Sequence, residues 1–163
     1  MALTRSFHPK VEGPEKTLAG LNREWMIKSF EANCIGHARV LSELFPLLKG
    51  GDHLKRVVNI SARTGSIGDN NLGGWYSYRM SKAALNMLTK TAANELKRFN
   101  CSVISLHPGT VDTEMSKFFQ KSVPKGHLFT PTHSVDQMLR VIWAMNKETT
   151  GSFLAYDGKK VEW

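Results

Sequence analysis

The sequence has little with which to cross-link itself. It contains two cysteines in 163 residues, Cys34 and Cys101. Both lie in apolar-looking segments and read as reduced core residues of a cytoplasmic protein. Its six histidines are scattered without ligand spacing, and no Cys/His cluster points to a metal. No apolar run approaches the ~20 residues that span a bilayer, so no membrane role is expected. The start, Met1-Ala2-Leu3-Thr4-Arg5, is basic but lacks the apolar stretch of a secretory signal. Clustered charge is missing too. The net charge is +8, yet lysines and arginines are dispersed and no recognition motif accompanies them, so nucleic acid is not the expected partner. A dispersed positive surface instead suits a solvated exterior, or attraction of a phosphate-rich cofactor. No repeat or low-complexity linker divides the chain, which reads as a single domain over 1–163 with an irregular lead-in over 1–20.

What is present is an alternation of helical and strand patterns. Asn22 caps an expected helix over 22–49 whose apolar positions Ile27, Phe30, Cys34, Leu41, Leu44, Phe45 and Leu48 recur at helical spacing, with Gly50-Gly51 as its stop. Arg56-Val57-Val58-Asn59-Ile60-Ser61 reads as a buried parallel strand. A loop rich in Gly and Asn leads to a second helix over 75–99, with Leu85, Leu88, Ala92 and Leu96 along one face. Cys101–His107 is a further buried strand, stopped by Pro108-Gly109. Residues 110–130 lack periodicity and read as a mobile flap carrying Met115, Phe118, Phe119 and Phe129. Thr130 caps a third helix with Pro131 at its first position, and Ser152–Tyr156 is the last strand. Strands alternating with helices of this length predict right-handed crossovers and a parallel sheet. The fold class is α/β, a partial Rossmann-type doubly wound sheet of about three strands with flanking helices.

The chemistry concentrates around Tyr78-Arg79-Met80-Ser81-Lys82. Residues four apart share a helix face, and a lysine ammonium beside a phenol favours the phenolate, so Tyr78 is expected to titrate below its reference near 10. A tyrosine so tuned exchanges a proton with an alcohol or carbonyl. Ser61 stands at the carboxyl end of its strand, where open α/β sheets bind ligands, and is expected to hydrogen-bond a substrate carbonyl. Pro108-Gly109 follows the next strand and lets the backbone approach a flat ligand closely. Thr113 adds a hydroxyl and an amide. Asn33 lies mid-helix, where asparagine is a poor helix former, and a residue placed against its propensity invites a functional reading.

These segments resemble the short-chain dehydrogenase/reductase family. The matching strings are Val58-Asn59-Ile60-Ser61, Tyr78 through Asn86, and His107-Pro108-Gly109-Thr110-Val111-Asp112-Thr113. The stretch Gly73-Gly74-Trp75-Tyr76-Ser77 and the ending Phe153–Gly158 are similar to the C-factor, carbonyl-reductase-like branch. The resemblance runs from about Pro14 to Trp163. It implies Tyr78 as general acid/base and Lys82 as the group that lowers its pKa and binds the nicotinamide ribose. It further implies that Ser61 orients the carbonyl, that Asn33 holds a relay water, and that Pro108, Gly109 and Thr113 meet the nicotinamide. The implied cofactor is NAD or NADP, with the positive charge leaning toward NADP. The implied substrate is a small-molecule carbonyl or alcohol, and two copies are expected to pair through helices 22–49 and 75–99.

Two departures matter. Where the family usually shows two serines this chain has Ser61-Ala62, with Ser66 a weaker substitute, and Ala62 stands at the commonly catalytic place. The glycine-rich phosphate turn and its helix do not occur ahead of the matched strings, so the chain is expected to be the C-terminal catalytic portion of the family fold. Two functional readings stay open. One is an NAD(P)-dependent oxidoreductase. The other is a truncated, non-catalytic member acting through protein contacts, with the edge of strand Arg56–Ser61 left open for association.

Overall fold

The computed structural model describes residues 14–163. The first part of the expected lead-in therefore lies outside the described residues. Helix α1 spans Arg23–Phe30, and α2 spans Gly36–Lys49. Strand β1 is Lys55–Ile60, α3 is Tyr76–Leu96, and β2 is Cys101–His107. Two short strands follow, β3 (Thr110–Val111) and β4 (Leu128–Phe129), then α4 (Pro131–Ala144) and β5 (Phe153–Ala155). The main sheet is parallel with the order β1-β2-β5, and β3 pairs with β4 as a separate parallel ladder. This is the α/β arrangement the alternation of patterns predicts.

The start and stop chemistry reads as expected. Asn22 Oδ1 accepts from Trp25 N at 3.0 Å, and Thr130 Oγ1 accepts from His133 N at 3.2 Å with Pro131 opening the helix. Among the described residues β2 is the strand paired on both sides and covered on both faces, which makes it the centre of the fold. Cys101 and Val103 pack with Ala93 and Leu96 of α3 on one face, while Ile104 and Leu106 pack with Met145 and Leu154 on the other.

The helix expected over 22–49 is one run of backbone but not one α-helix. Residues Glu31–Ile35 form a five-residue π segment between α1 and α2. Asn33 sits inside it and is buried, whereas α2 buries none of its residues. The apolar positions expected to form its core face are partly outside: Leu44 is 42% exposed and Ile27 44%. Periodicity identified the helix correctly but not its partner, because among the described residues one side of β1 has no neighbouring strand for this face to cover. The flap expected over 110–130 holds more structure than its irregular pattern suggests: β3, a 3₁₀ turn at Gln120–Ser122, and β4.

Gly65 lets α3 approach the end of β1. A methyl group there would fall 2.7 Å from Lys82 Cβ and 2.8 Å from Lys82 C, and the backbone cannot swing aside. Gly65→Ala is therefore expected to destabilise the chain by about 1–3 kcal/mol through overpacking. Denaturant unfolding measures this, and an unchanged midpoint would show that α3 can slide.

Candidate active site

Helix α3 carries the site because its buried residues, Leu96 at its end apart, fall in two adjacent rows of i, i+4 spacing. Ser77, Ser81, Leu85, Thr89 and Ala93 form one row, and Tyr78, Lys82 and Asn86 the other. The upper part of this buried face is polar, and the side chains of Ser77, Ser81, Lys82, Asn86 and Thr89 each find a partner. Asn33 Nδ2 donates to Ser81 Oγ at 3.0 Å, and Ser81 Oγ donates to Tyr78 O at 2.9 Å. Asn59 Nδ2 and Ser105 Oγ both donate to Thr89 Oγ1, which donates in turn to Leu85 O. Reading the helix as an apolar stripe missed Ser81, Asn86 and Thr89. Their signal was available in their place on the same face as Leu85 and Lys82.

Tyr78 and Lys82 lie together as their spacing predicts. Lys82 Nζ is 5.9 Å from the centre of the Tyr78 ring and donates to Ile60 O at 2.9 Å. Their electrostatics differ from expectation. Burial pushes Tyr78 up to about 12 and Lys82 down to about 8. Loss of water around the phenol outweighs the field of an ammonium that is itself disfavoured by burial. The tyrosine is thus protonated at neutral pH in this state.

Ser61 is beside α3 but does not face outward. It is 2% exposed, and its hydroxyl donates to Asn86 Oδ1 at 2.6 Å while Asn86 Nδ2 donates to Gly65 O at 3.2 Å. In this state the Ser61 proton is engaged by the Asn86 amide, while its oxygen keeps acceptor capacity. Ser66 is likewise occupied, its Oγ accepting from Asp69 N at 3.0 Å. Gly109 has φ +81, and the flat groups its bare backbone admits are the chain's own: a methyl there would fall 2.7 Å from the Phe129 ring and 3.0 Å from Tyr156. Pro108 O accepts from Ser134 Oγ at 2.7 Å. Thr113 is exposed; its amide donates to Ser116 Oγ at 3.1 Å. His107 closes β2 with its Nδ1 buried and without a partner among the described residues. Burial, aided by Arg63, lowers it to about 4.

Trp75, which the sequence offered only as part of the stretch Gly73–Ser77, is with Asn100 one of two non-glycine residues at positive φ among the described residues. It lies in the left-handed region at φ 56 after Gly73 and Gly74, both also at positive φ. Glycine enters that region freely, whereas for a bulky residue it costs about 1–2 kcal/mol. The neighbourhood enforces it: Trp75 N donates to Glu15 O at 2.6 Å, and Arg79 donates to the carbonyls of Gly73, Gly74 and Thr64. Glu15 also accepts from the Ser77 hydroxyl. Trp75 thereby lies edge-on to Tyr78, with ring centres 6.0 Å apart.

A family model for short chain dehydrogenases matches residues 12–123. The chain belongs to the short-chain dehydrogenase family. It is 41% identical to the C-signal protein of Myxococcus xanthus over 138 residues, covering 85% of this chain and 78% of that protein. It is 35% identical to the 1-hydroxy-2-glutathionyl-2-methyl-3-butene dehydrogenase of Rhodococcus sp. (strain AD45), covering 90% of this chain and 62% of that one. Among solved structures it is similar to the carbonyl reductase Sniffer of D. melanogaster, at 26% identity and a TM-score of 0.83, covering 94% of this chain and 63% of that one. It is also similar to an NADPH-bound carbonyl reductase from chicken fatty liver, at 30% identity and a TM-score of 0.81, covering 94% and 64%. Against the dehydrogenase and both reductases, the chain spans less than two thirds of the relative's length. Among the described residues no group of His, Cys, Asp and Glu is arranged to hold a metal, and no helix is long and apolar enough to cross a membrane.

The low proton affinity of Lys82 has a measurable consequence. The unfolded chain keeps that proton up to about pH 10, while the folded chain releases it near 8. Between those values the unfolded state binds more protons, so stability rises with pH. Comparison with Lys82→Met isolates this contribution, because Tyr78 titrates in both proteins. Unfolding free energies at pH 8 and pH 10 should show the parent gaining about 2 kcal/mol on the variant across that window. A constant difference would mean that the folded chain holds the ammonium as firmly as water does.

Proposed function

We propose that this chain forms the catalytic and substrate-side part of an NAD(P)-dependent carbonyl reductase, moving hydride between a nicotinamide and a small-molecule carbonyl or alcohol. The observation that carries the reading is the pairing of Tyr78 and Lys82 on one buried turn of α3, at the carboxyl end of the sheet. Burial keeps the Tyr78 phenol protonated. That is the form needed to give a proton to a carbonyl oxygen as the carbonyl is reduced. Lys82 uses one of its three donors on Ile60 O, which leaves capacity to hold ribose hydroxyls. The free donors of Lys82 support a role in holding the nicotinamide-ribose end of the cofactor, and Pro108, Gly109 and Thr113 are the residues proposed to meet the nicotinamide. When bound, the nicotinamide supplies the hydride. Asn33 and Ser61 act here as positioning residues, the first through Ser81 and the π segment, the second through Asn86. NADP is favoured over NAD, supported by the net charge of +8 and by relatives with NADPH or NADP bound. The two free cysteines support a cytoplasmic setting.

Among the described residues no strand, glycine-rich turn and helix stand ready to cradle the pyrophosphate. Each lost charge-assisted hydrogen bond weakens binding by about tenfold or more. Titration of the 163-residue chain with NADPH is therefore expected to give a dissociation constant well above micromolar, and micromolar binding would show that another segment supplies the phosphate site. At NADPH concentrations high enough to load it, carbonyl-dependent NADPH oxidation should fall by about 10²-fold or more in Tyr78→Phe. Unchanged turnover in that variant would remove Tyr78 from the reaction.

A second reading, a family member that works through protein contacts, draws on the free side of β1 and on apolar side chains outside. Ile60 at the strand's end is 41% exposed, and Val40, Leu47 and Met87 on α2 and α3 are 56%, 72% and 68% exposed. Pairing of two copies through helices 22–49 and 75–99 would cover the latter three. Sedimentation is expected to show dimers or larger species at micromolar concentration. A soluble monomer with no dye-binding apolar surface would dismiss the contact.

A further inference from the structure

Helix α3 opens without a cap of its own. A helix usually begins after a residue of extended backbone whose side-chain oxygen accepts from one of the first free amides. Trp75 holds that place here, at φ 56 and ψ 39, and its side chain makes no cap bond. An indole has a donor and no acceptor, so none is open to it. The acceptor comes instead from 62 residues away. Glu15 Oε2 accepts from Ser77 N, the second amide of the helix, at 3.3 Å, and Glu15 Oε1 accepts from the Ser77 hydroxyl. Glu15 O accepts from Trp75 N at 2.6 Å. One residue of the lead-in therefore holds three donors at the head of α3. Its neighbour Pro14 is buried, and Gly74 comes close to the same segment, since a methyl there would stand 3.7 Å from Lys16 O. A carboxylate also suits this end of a helix, where the backbone dipole is positive.

We propose that Glu15 is a positioning residue of the active site: as the remote N-cap of α3 it fixes the first turn, and with it the aim of the Tyr78 hydroxyl. The proposal rests on the reading of Tyr78 as proton donor and adds the residue that aims it. Tyr78 is the third residue of the helix and stands in its first turn. The bonds that lock the rotation of α3, at Asn86 and Thr89, lie about two and three turns further on. Helix ends fray, because their first amides have no partner within the helix. A lock that far downstream sets the axis but leaves the first turn loose. Glu15 closes that turn by two routes. One runs through the Ser77 backbone to Tyr78, the next residue. The other runs through Trp75, whose amide Glu15 holds and whose ring lies edge-on to Tyr78 with centres 6.0 Å apart. Proton transfer needs the phenol oxygen at about 2.6–3.2 Å from the carbonyl oxygen. Misplacement by about 1 Å lowers a rate by about 10²-fold. A loosened first turn would therefore lower turnover while the contacts that bind substrate stay as they are.

The test reads the tyrosine itself. NMR of the 163-residue chain with ring-labelled tyrosine reports three tyrosines, and Tyr78→Phe identifies the signal of Tyr78. Glu15→Ala is expected to shift and broaden that signal. Glu15→Gln keeps an acceptor oxygen for Ser77 N and is expected to restore it. Asn146→Ala is the control for stability alone. It removes two bonds of the same kind, to Glu148 N and Thr149 N, ahead of β5 at the amino end of the sheet, and should leave the signal in place. At NADPH concentrations that load the chain, Glu15→Ala should lower kcat about tenfold with the KM of the ketone within about twofold, and Glu15→Gln should recover most of the loss. An unmoved Tyr78 signal in Glu15→Ala, an equal movement in Asn146→Ala, no recovery in Glu15→Gln, or a loss that falls on KM would each overturn the role. If Glu15→Ala does not fold, Ser77→Ala is read in its place. It removes the hydroxyl and leaves the amide bond, so a smaller shift of the same signal is expected, and no shift would overturn the proposal. Failure of the reductase reading looks different: a chain that never oxidises NADPH still reports where Tyr78 points, and an active reductase whose Tyr78 ignores Glu15 keeps its chemistry and loses this cap.

Discussion

The site depends on how α3 is locked in rotation about its own axis. A helix packed by aliphatic groups alone can turn by tens of degrees at small cost, since dispersion has little directionality. Here the buried face is pinned by directional bonds. Thr89 receives donors from Asn59 of β1 and Ser105 of β2, and Asn86 receives one from Ser61 just beyond β1. Rotation of α3 would break these bonds together and leave buried polar groups unpaired, at about 1–3 kcal/mol each. Tyr78 and Lys82 inherit their placement from this lock, because Lys82 is four residues before Asn86 and Tyr78 four before Lys82. The same lock explains why Ser61 is turned inward. Its hydroxyl contributes to the alignment of the helix through Asn86.

The competition between burial and charge at the pair follows from the same packing. Seating α3 against the ends of β1 and β2 removes water from both functional groups. Desolvation penalises the charged form of each, which raises the phenol and lowers the amine. The two shifts converge from opposite directions on a pair that is mostly phenol and ammonium at neutral pH. In the proposed reaction this pair would deliver a proton to a carbonyl without the tyrosine first having to be reprotonated, with the ammonium beside it to stabilise the charge left behind. The spacing in sequence foresaw the partners but not the sign of the tyrosine's shift, since spacing carries information about proximity and none about how much water remains.

What the sequence made legible is what depends on local pattern. The Tyr-x-x-x-Lys turn, the Thr130-Pro131 start of α4 and the uninterrupted burial of β2 each follow from residues within a few positions of one another. The apolar pattern of 22–49 and the glycines before Trp75 were visible too, but their consequences are tertiary. Whether Leu44 is buried depends on a neighbour for β1, and whether Trp75 takes a left-handed backbone depends on Glu15 and Arg79 holding it there. Asn33 shows both sides of this division. Its poor helix propensity marked it correctly as unusual, yet nothing local announced that the helix would accommodate it by widening to a π segment.

That widening connects the least buried helix of the molecule to the most buried. Among the described residues α2 buries no residue fully and reaches the core only with half-buried Phe45 and Leu48, and α1 buries Trp25 and Ser29 chiefly against α3. A regular helix through 31–35 would keep a single face toward α3 along its whole length. The extra residue in the π turn shifts the phase of the face, so Asn33 is brought inward and its amide reaches Ser81 Oγ, which itself is bonded to Tyr78 O. The backbone of Tyr78 is in this way fixed from two directions, by the sheet through Thr89 and Asn86 and by the outer helix through Asn33. Only the second of these passes through an element that lacks a core of its own. The π segment thus does for the site what packing cannot do in α2: it holds one polar side chain in place by hydrogen bonding where there is too little buried apolar area to hold the helix.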